Sequence, residues 1–295
     1  MAPPTRLSIA KKDIFSAMDT GPKVLRTRDI AALMRAKREF WRLAQNTRVS
    51  DLVDFLTQKG SLKTYTFQFP DRPETLHTWG TVAFEEILQE LKPKCYFSHY
   101  SALSFHSLTE QTPTTYYLTF ERTYNSERSL PLSQELIDQA FTKPEVTTHK
   151  QATINDRAII LVSGRATQMR GIDQLVLNGG VHAPPPLIKV TDLERTLIDA
   201  VVRPNYCGGV WEVLNAFERA RNRVSINSLC AQLRQYKFQY PYHQAIGFYL
   251  ERAGYGPKQL DLLRIFPQNF DFYLTKAMQD VAFDKNWRIF YPAYL

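Results

Sequence analysis

Between Thr27 and Trp79 the apolar residues change period, and that switch restricts the possible fold more than any other feature of the chain. Thr27 is an N-cap residue type, and Ile30, Leu33 and Met34 follow at helical spacing, with Phe40, Trp41 and Ala44 placed to continue the face. Thr47 can cap the next helix, in which Val49, Leu52, Val53 and Leu56 fall at i, i+3, i+4 and i+7 before Gly60 stops it. The period then drops to two. Leu62 to Phe69 alternates as a strand, Pro70-Asp71-Arg72-Pro73 turns, and Leu76 to Trp79 returns. A short amphipathic helix over 9–18 (Ile9, Ile14, Phe15, Met18) and the brief extended pair Val24-Leu25 come first. Helix, helix, helix and hairpin is the order of a winged helix-turn-helix, which sets one helix in the DNA major groove and lays the hairpin along the backbone or minor groove.

Charge placement supports the same reading. Residues 1–63 carry 13 Lys and Arg against 6 Asp and Glu, whereas the other 232 residues carry 24 against 23. A basic segment beside a nearly neutral body is the footprint of a polyanion-binding module; the plainer alternative is a solvated helical face. Asp51 and Asp54 lie on the polar side of the 47–59 helix and repel phosphate, so the expected DNA-facing surface shifts upstream to 35–48. Arg35, Lys37, Arg38, Arg42 and Arg48 would set register on phosphates, and Arg38, Arg42, Gln45 or Asn46 would reach base edges. Arg48 opens a helix, where backbone amides also favour phosphate. Lys59, Lys63 and Arg72 extend the set toward the hairpin. Half-sites in an inverted repeat would take a dimer or two monomers.

A helix over Thr81–Leu91 (Phe84, Ile87, Leu88, Leu91), ended by Pro93, divides the chain into domains 1–92 and 93–295. The second is mixed. Ser101–Phe105 reads as helix, Tyr116–Phe120 and Ala158–Val162 as buried strands, and 172–177 and 187–190 as short strands around loops at Gly179-Gly180 and Pro184-Pro185-Pro186. From Thr191 the pattern is helical. Thr191-x-x-Glu194 is a capping-box pattern, Gly208-Gly209 opens a helix with Val213, Leu214 and Phe217 inward, Ser225 caps another, and Tyr242–Ala253 ends at Gly254. The apolar tail segments 270–274 and 287–292 should pack back on the body. The expected class is therefore α+β, a winged helix followed by a larger mixed domain. No apolar run approaches the roughly 20 residues of a membrane span. The N-terminus lacks the apolar stretch of a secretory signal. The three cysteines lie far apart, and a reducing cytoplasm is the expectation.

Residues 96–113, Tyr96-Phe97-Ser98-His99-Tyr100-Ser101-Ala102-Leu103-Ser104-Phe105-His106-Ser107-Leu108-Thr109-Glu110-Gln111-Thr112-Pro113, resemble the signature Y-x-S-x-x-S-A-L-x-x-H-G-L-T-x-Q-x-P of the AbiEi antitoxin family, followed by a Tyr-rich strand. Ser107 stands where that pattern has Gly. A second block, Val190 to Ala200 with Glu194, Arg195 and Asp199, and on through Arg203-Pro204, Tyr206 and Gly208-Gly209, is similar to the family's other hallmark. The resemblance spans roughly 95–255 and marks Ser98, Ser101, His106, Thr109, Gln111, Glu194, Arg195 and Asp199. It implies an antitoxin of a two-gene, phage-defence module. Such a protein represses its own promoter through an N-terminal winged helix on operator DNA. Its C-terminal domain counteracts a nucleotidyltransferase-type toxin.

Other chemistry finds little footing. Cys207-Gly208-Gly209 with a distant His243 is a faint thiol-hydrolase pattern, and Trp211 beside it reads as a core anchor. His99 and His106 would share a helical face but lack further metal ligands. Arg195 and Asp199 form an i, i+4 pair whose expected role is an architectural ion pair, with partner binding as the alternative. No Gly-rich phosphate loop occurs. The expectation is no catalysis, no metal, no cofactor and no membrane partner.

Overall fold

The computed structural model describes residues 5–122, 131–177 and 185–295. The Gly179-Gly180 loop and Pro184 lie outside the described residues. The chain divides into two compact units, Met1–Pro93 with Leu175–Ile188, and Lys94–Gln174 with Lys189–Leu295.

The first unit runs α1 (Arg6–Ile9), α2 (Lys11–Thr20), β1 (Val24–Leu25), α3 (Thr27–Lys37), α4 (Val49–Lys59), β2 (Leu62–Phe67), β3 (Glu74–Trp79) and α5 (Phe84–Gln89). The strands form an antiparallel sheet in the order β1-β3-β2, with Leu62 opposite Trp79 and Phe67 opposite Glu74. Ile14 and Met18 from α2, Ile30 and Met34 from α3, and Leu52 and Leu56 from α4 meet Leu62 and Trp79 in one core. The helix starts differ from the sequence reading. Asp29 accepts from the Arg26 N–H at 2.8 Å and Asp51 from the Arg48 N–H at 2.8 Å. The caps are therefore Arg26 and Arg48 rather than Thr27 and Thr47, because a carboxylate at the third helical position reaches back to the preceding amide. Helix α3 stops at Lys37, so Phe40 does not continue its face and is 68% exposed, while Trp41 still reaches the core through the following turn. The helix expected over 81–91 is shorter, Phe84–Gln89.

From Lys94 the chain runs β4 (Cys95–Phe97), α6 (His99–Phe105), β5 (Thr115–Glu121), α7 (Gln134–Phe141), β6 (Gln151–Ile154), β7 (Arg157–Gly164), β8 (Ile172–Val176), β9 (Leu187–Thr191), α8 (Leu193–Val202), a 3-10 turn at Pro204–Cys207, α9 (Val210–Ala220), α10 (Ile226–Tyr236), α11 (Tyr242–Arg252), α12 (Pro257–Arg264), β10 (Phe272–Tyr273), β11 (Val281–Asp284) and β12 (Ile289–Pro292), all within the second unit except the end of β8 and the start of β9. A mixed six-stranded sheet has the order β6-β7-β5-β4-β9-β8, and β5 runs parallel to β7 from Thr115–Ala158 to Glu121–Gly164. The apolar stripes of α8 to α11 share a core that takes in Phe272, Trp287 and Ile289 from the tail. Helix α11 approaches Trp287 so closely that a Cβ on Gly247 would lie 2.1 Å from the ring. Three local expectations change. Asp192, not Thr191, caps α8, accepting from the Arg195 N–H. Glu194, instead of closing a capping box, accepts from the Ser225 N–H at 2.7 Å. Trp211 is 53% exposed rather than a core anchor, because it falls off the stripe of Val210, Val213, Leu214 and Phe217 that α9 buries. Among the described residues no helix is long and apolar enough to cross a membrane.

Candidate nucleic-acid interface

Helices α3 and α4 are joined by the segment 38–48, and its residues point alternately inward and outward. Trp41 and Leu43 are buried in the core of the unit, while Arg42 between them is exposed with φ +51°. Gln45, Asn46 and Arg48 are also exposed. Arg35 and Lys37 lie on the exposed side of the last turn of α3, where Lys37 sits over the ring of Phe40. Lys59 ends α4 and Lys63 points outward from β2. Among the described residues, no carboxylate lies within 4 Å of the side-chain cation of Arg35, Lys37, Arg42, Arg48, Lys59 or Lys63; the Asp51 carboxylate meets Arg48 only at its backbone amide.

Arg26, Lys92, Arg72 and Arg38 of this unit are used internally. Arg26 pairs with the buried carboxylate of Glu74 at 3.0 Å and donates to the carbonyls of Glu90 and Leu91. Lys92 reaches the same carboxylate at 2.7 Å and Arg72 at 3.2 Å. Burial opposes ionisation of Glu74, but Lys92, Arg26 and Arg72 outweigh it and hold its pKa below the usual carboxylate range. Arg72 is thus bound to Glu74 in the free protein rather than waiting unpaired at the hairpin. Arg38 departs further from its expected role. Its guanidinium turns back onto the carbonyls of Ala44, Gln45 and Thr47, so it is not presented to a base edge. The physical reason is that 38–48 leaves helical geometry and its carbonyls lose their helical donors. Asp51, which repels phosphate in the sequence reading, is held against the Arg48 amide. The exposed polar face of α4 is Ser50, Asp51, Asp54, Thr57, Gln58 and Lys59.

The signature residues of the second unit are consumed by its architecture. The Ser98 hydroxyl lies 2.8 Å from His99 Nδ1 and 2.7 Å from Thr119 Oγ1, and the Ser101 hydroxyl accepts from the Tyr117 N–H. Burial first, then Arg203 and Arg195, push the pKa of His99 down to about 3. Tyr100 hydrogen-bonds Thr109 and donates to Gln111. His106 Nε2 donates to the Thr191 carbonyl at 2.6 Å, which joins the first signature block to the second. The blocks meet again where Arg195 donates to the Tyr96 hydroxyl at 2.6 Å. Arg195 also donates to Thr167 and to the Arg170 carbonyl, lies 3.4 Å from Asp199 and 3.9 Å from Glu121, and is flanked by the rings of Tyr96 and Tyr236. Burial opposes its charge, yet Asp199, Tyr96, Tyr236 and Glu121 hold its pKa above the ordinary value. Of these partners only Asp199 was legible in the sequence. Tyr96 opens the first block without any sign that it faces Arg195.

The thiol and imidazole of the hydrolase pattern are not brought together. Burial pushes the Cys207 thiol well above its usual pKa, and His243 Nε2 donates to the Pro267 carbonyl while its ring stacks on Phe266. His99 and His106 stand at opposite ends of α6, each with its own partner, and no group of three metal-ligating side chains occurs among the described residues.

No family model and no curated protein sequence matches the chain. Its fold is similar to the crystal structure of the RV2827C protein from Mycobacterium tuberculosis, with a TM-score of 0.55 over 96% of this chain and 90% of that one. At 12% identity the likeness is one of fold alone, and that fold is a mixed α+β architecture extending over both units.

Proposed function

We propose that the first unit is a winged helix-turn-helix that binds DNA, and that the chain is the autorepressing antitoxin of a toxin–antitoxin module of AbiEi type. The observation that carries the DNA reading is that the exposed side-chain cations of Arg35, Lys37, Arg42, Arg48, Lys59 and Lys63, spread over the end of α3, the 38–48 segment, α4 and β2, make no ion pair among the described residues. Cations already paired inside a fold gain little from phosphate, whereas exposed, unpaired ones release counterions from DNA on contact. Gln45 and Asn46 beside Arg42 add amide groups able to hydrogen-bond base edges. The antitoxin half rests on the two signature blocks, which hold one another at Arg195–Tyr96 and His106–Thr191. On this reading the second unit counteracts a nucleotidyltransferase-type toxin.

The test is a gel-shift and anisotropy titration with DNA from directly upstream of the reading frame, against a scrambled duplex of equal composition. The intact chain should prefer the upstream duplex, and Arg42→Glu with Arg48→Glu should abolish binding without changing the melting curve. Undiminished affinity in the double reversal removes this surface from the proposal. A second reading, a protein-binding antitoxin module without specific DNA affinity, is favoured by the exposed Trp211 on α9. It predicts binding to the product of the adjacent reading frame, lost on Trp211→Ala, with no preference for upstream DNA.

A further inference from the structure

The segment 38–48 bends away from helical geometry, and three of its carbonyls converge on a single side chain. Arg38 Nη1 donates to the carbonyls of Ala44 and, at 3.3 Å, Gln45; Nη2 donates to that of Thr47 at 2.9 Å. A second arginine holds the outward point of the segment from another element, as Arg6 Nη1 donates to the Arg42 carbonyl at 3.0 Å. The backbone closes on itself as well, with Leu43 N–H donating to Arg38 O and Thr47 N–H to Ala44 O, each at 3.0 Å. Trp41 and Leu43 pin either side of Arg42 to the core. Outside this frame the segment exposes Glu39, Phe40, Arg42, Gln45, Asn46 and Arg48, of which Arg42, Gln45 and Asn46 carry the donors able to reach base edges.

We infer that 38–48 is a preformed DNA-reading loop, and that Arg38 is its positioning residue, holding Arg42, Gln45 and Asn46 in place without touching DNA itself. The inference rests on the DNA-binding reading above. Its physical basis is the planar guanidinium, which spans several carbonyls at fixed angles, whereas a lysine ammonium is a point donor on a flexible stem. Without the fork the loop would satisfy its carbonyls with water and sample many conformations. Ordering it on DNA would then cost conformational entropy that the native loop has already lost in folding.

Two measurements on the full chain test this. The first needs no DNA: limited trypsin digestion of the free protein, read at the Arg42–Leu43 bond. Arg38→Ala and Arg38→Lys should both speed that cleavage while the melting temperature of the chain stays near the wild-type value. The second is a double-mutant cycle on the upstream duplex. Arg42→Ala should weaken binding roughly 5- to 150-fold, the span of a lost base-edge contact. Arg38→Ala should weaken it at least as much, and the double variant should be no worse than Arg38→Ala alone, because without Arg38 the Arg42 side chain is no longer held where it meets DNA. Arg38→Lys keeps the charge and should fail to rescue. Additive losses, or full rescue by lysine, would make Arg38 a direct phosphate contact and overturn the inference. Unchanged cleavage at Arg42–Leu43 overturns the clamp while leaving the DNA reading intact. A wild-type chain with no preference for the upstream duplex overturns the DNA reading, and this inference with it, before any variant is compared.

Discussion

Arg195→Met puts the lock between the two signature blocks under a direct load. The substitution keeps side-chain length and removes hydrogen bonds to Tyr96, Thr167 and the Arg170 carbonyl, together with the ion pair to Asp199. Asp199, whose side chain is 19% exposed, is then left as a half-buried carboxylate with no cation in contact, although desolvation already lifts its pKa against the pull of Arg195. Breaking one side of a buried ion pair costs about 3–5 kcal/mol, a large share of the 5–15 kcal/mol that holds a typical domain. Hydrogen exchange suits the assay because it reads the second unit separately. Amides of β5 and β7, which pair from Thr115–Ala158 to Glu121–Gly164, should lose about 150- to 5,000-fold in protection, the same free energy at about 1.4 kcal/mol per factor of ten. Arg195→Met with Asp199→Leu should lose less than Arg195→Met alone, because the stranded charge is removed with its partner. Unchanged protection in the single variant, or a double variant that loses the sum of both singles, would refute the lock.

Other consequences are as concrete. His99 is neutral in the fold, with a pKa of about 3 against 6.5 when unfolded, so the unfolded chain binds a proton that the native one does not. Its contribution is intact above pH 6.5 and is lost as pH falls toward 3, by at most about 1.4 kcal/mol per pH unit. His99→Asn, which tolerates the φ of +51° at this position, should flatten the acid limb of a denaturation-against-pH curve; parallel curves refute the assignment. Ser107 sits at φ +56°, where the family pattern has Gly, so Ser107→Gly should raise stability by about 0.5–1 kcal/mol in urea unfolding. A loss there would mean that the Ser107 side chain earns its place. Gly247→Ala drives a methyl into the Trp287 ring and should cost about 1–3 kcal/mol, seen as a lower unfolding midpoint with a shifted tryptophan emission; an unaltered midpoint refutes that packing.

Periodicity made the first unit readable. Val49, Leu52, Val53 and Leu56 followed by the alternation after Gly60 correspond to α4, β2 and β3, because one-sided burial imposes spacing on sequence. Thr27 and Thr47 look like caps by residue type, but Asp29 and Asp51, each three residues beyond the true cap, bind the amides of Arg26 and Arg48 and set the helix starts there. Helix α12 leaves no periodic signal, because only Leu260 and Leu263 of its residues are buried, too few for a visible stripe. The type of Trp211 suggests a core anchor, but its position off the α9 stripe leaves it exposed. At the candidate interface the sequence lists arginines but not their directions. Whether Arg38 faces solvent or its own chain depends on how 38–48 bends, and the Arg6–Arg42 contact joins residues with no local relation.

The salt dependence of binding to the upstream duplex separates a phosphate-facing surface from a merely solvated one. Log affinity falls against log salt with a slope of about −0.9 per phosphate neutralised, so the six unpaired cations predict about −5 if each meets one phosphate. Arg42→Glu with Arg48→Glu should make that slope shallower. A line that stays flat as salt rises would mean these side chains do not meet a nucleic-acid backbone.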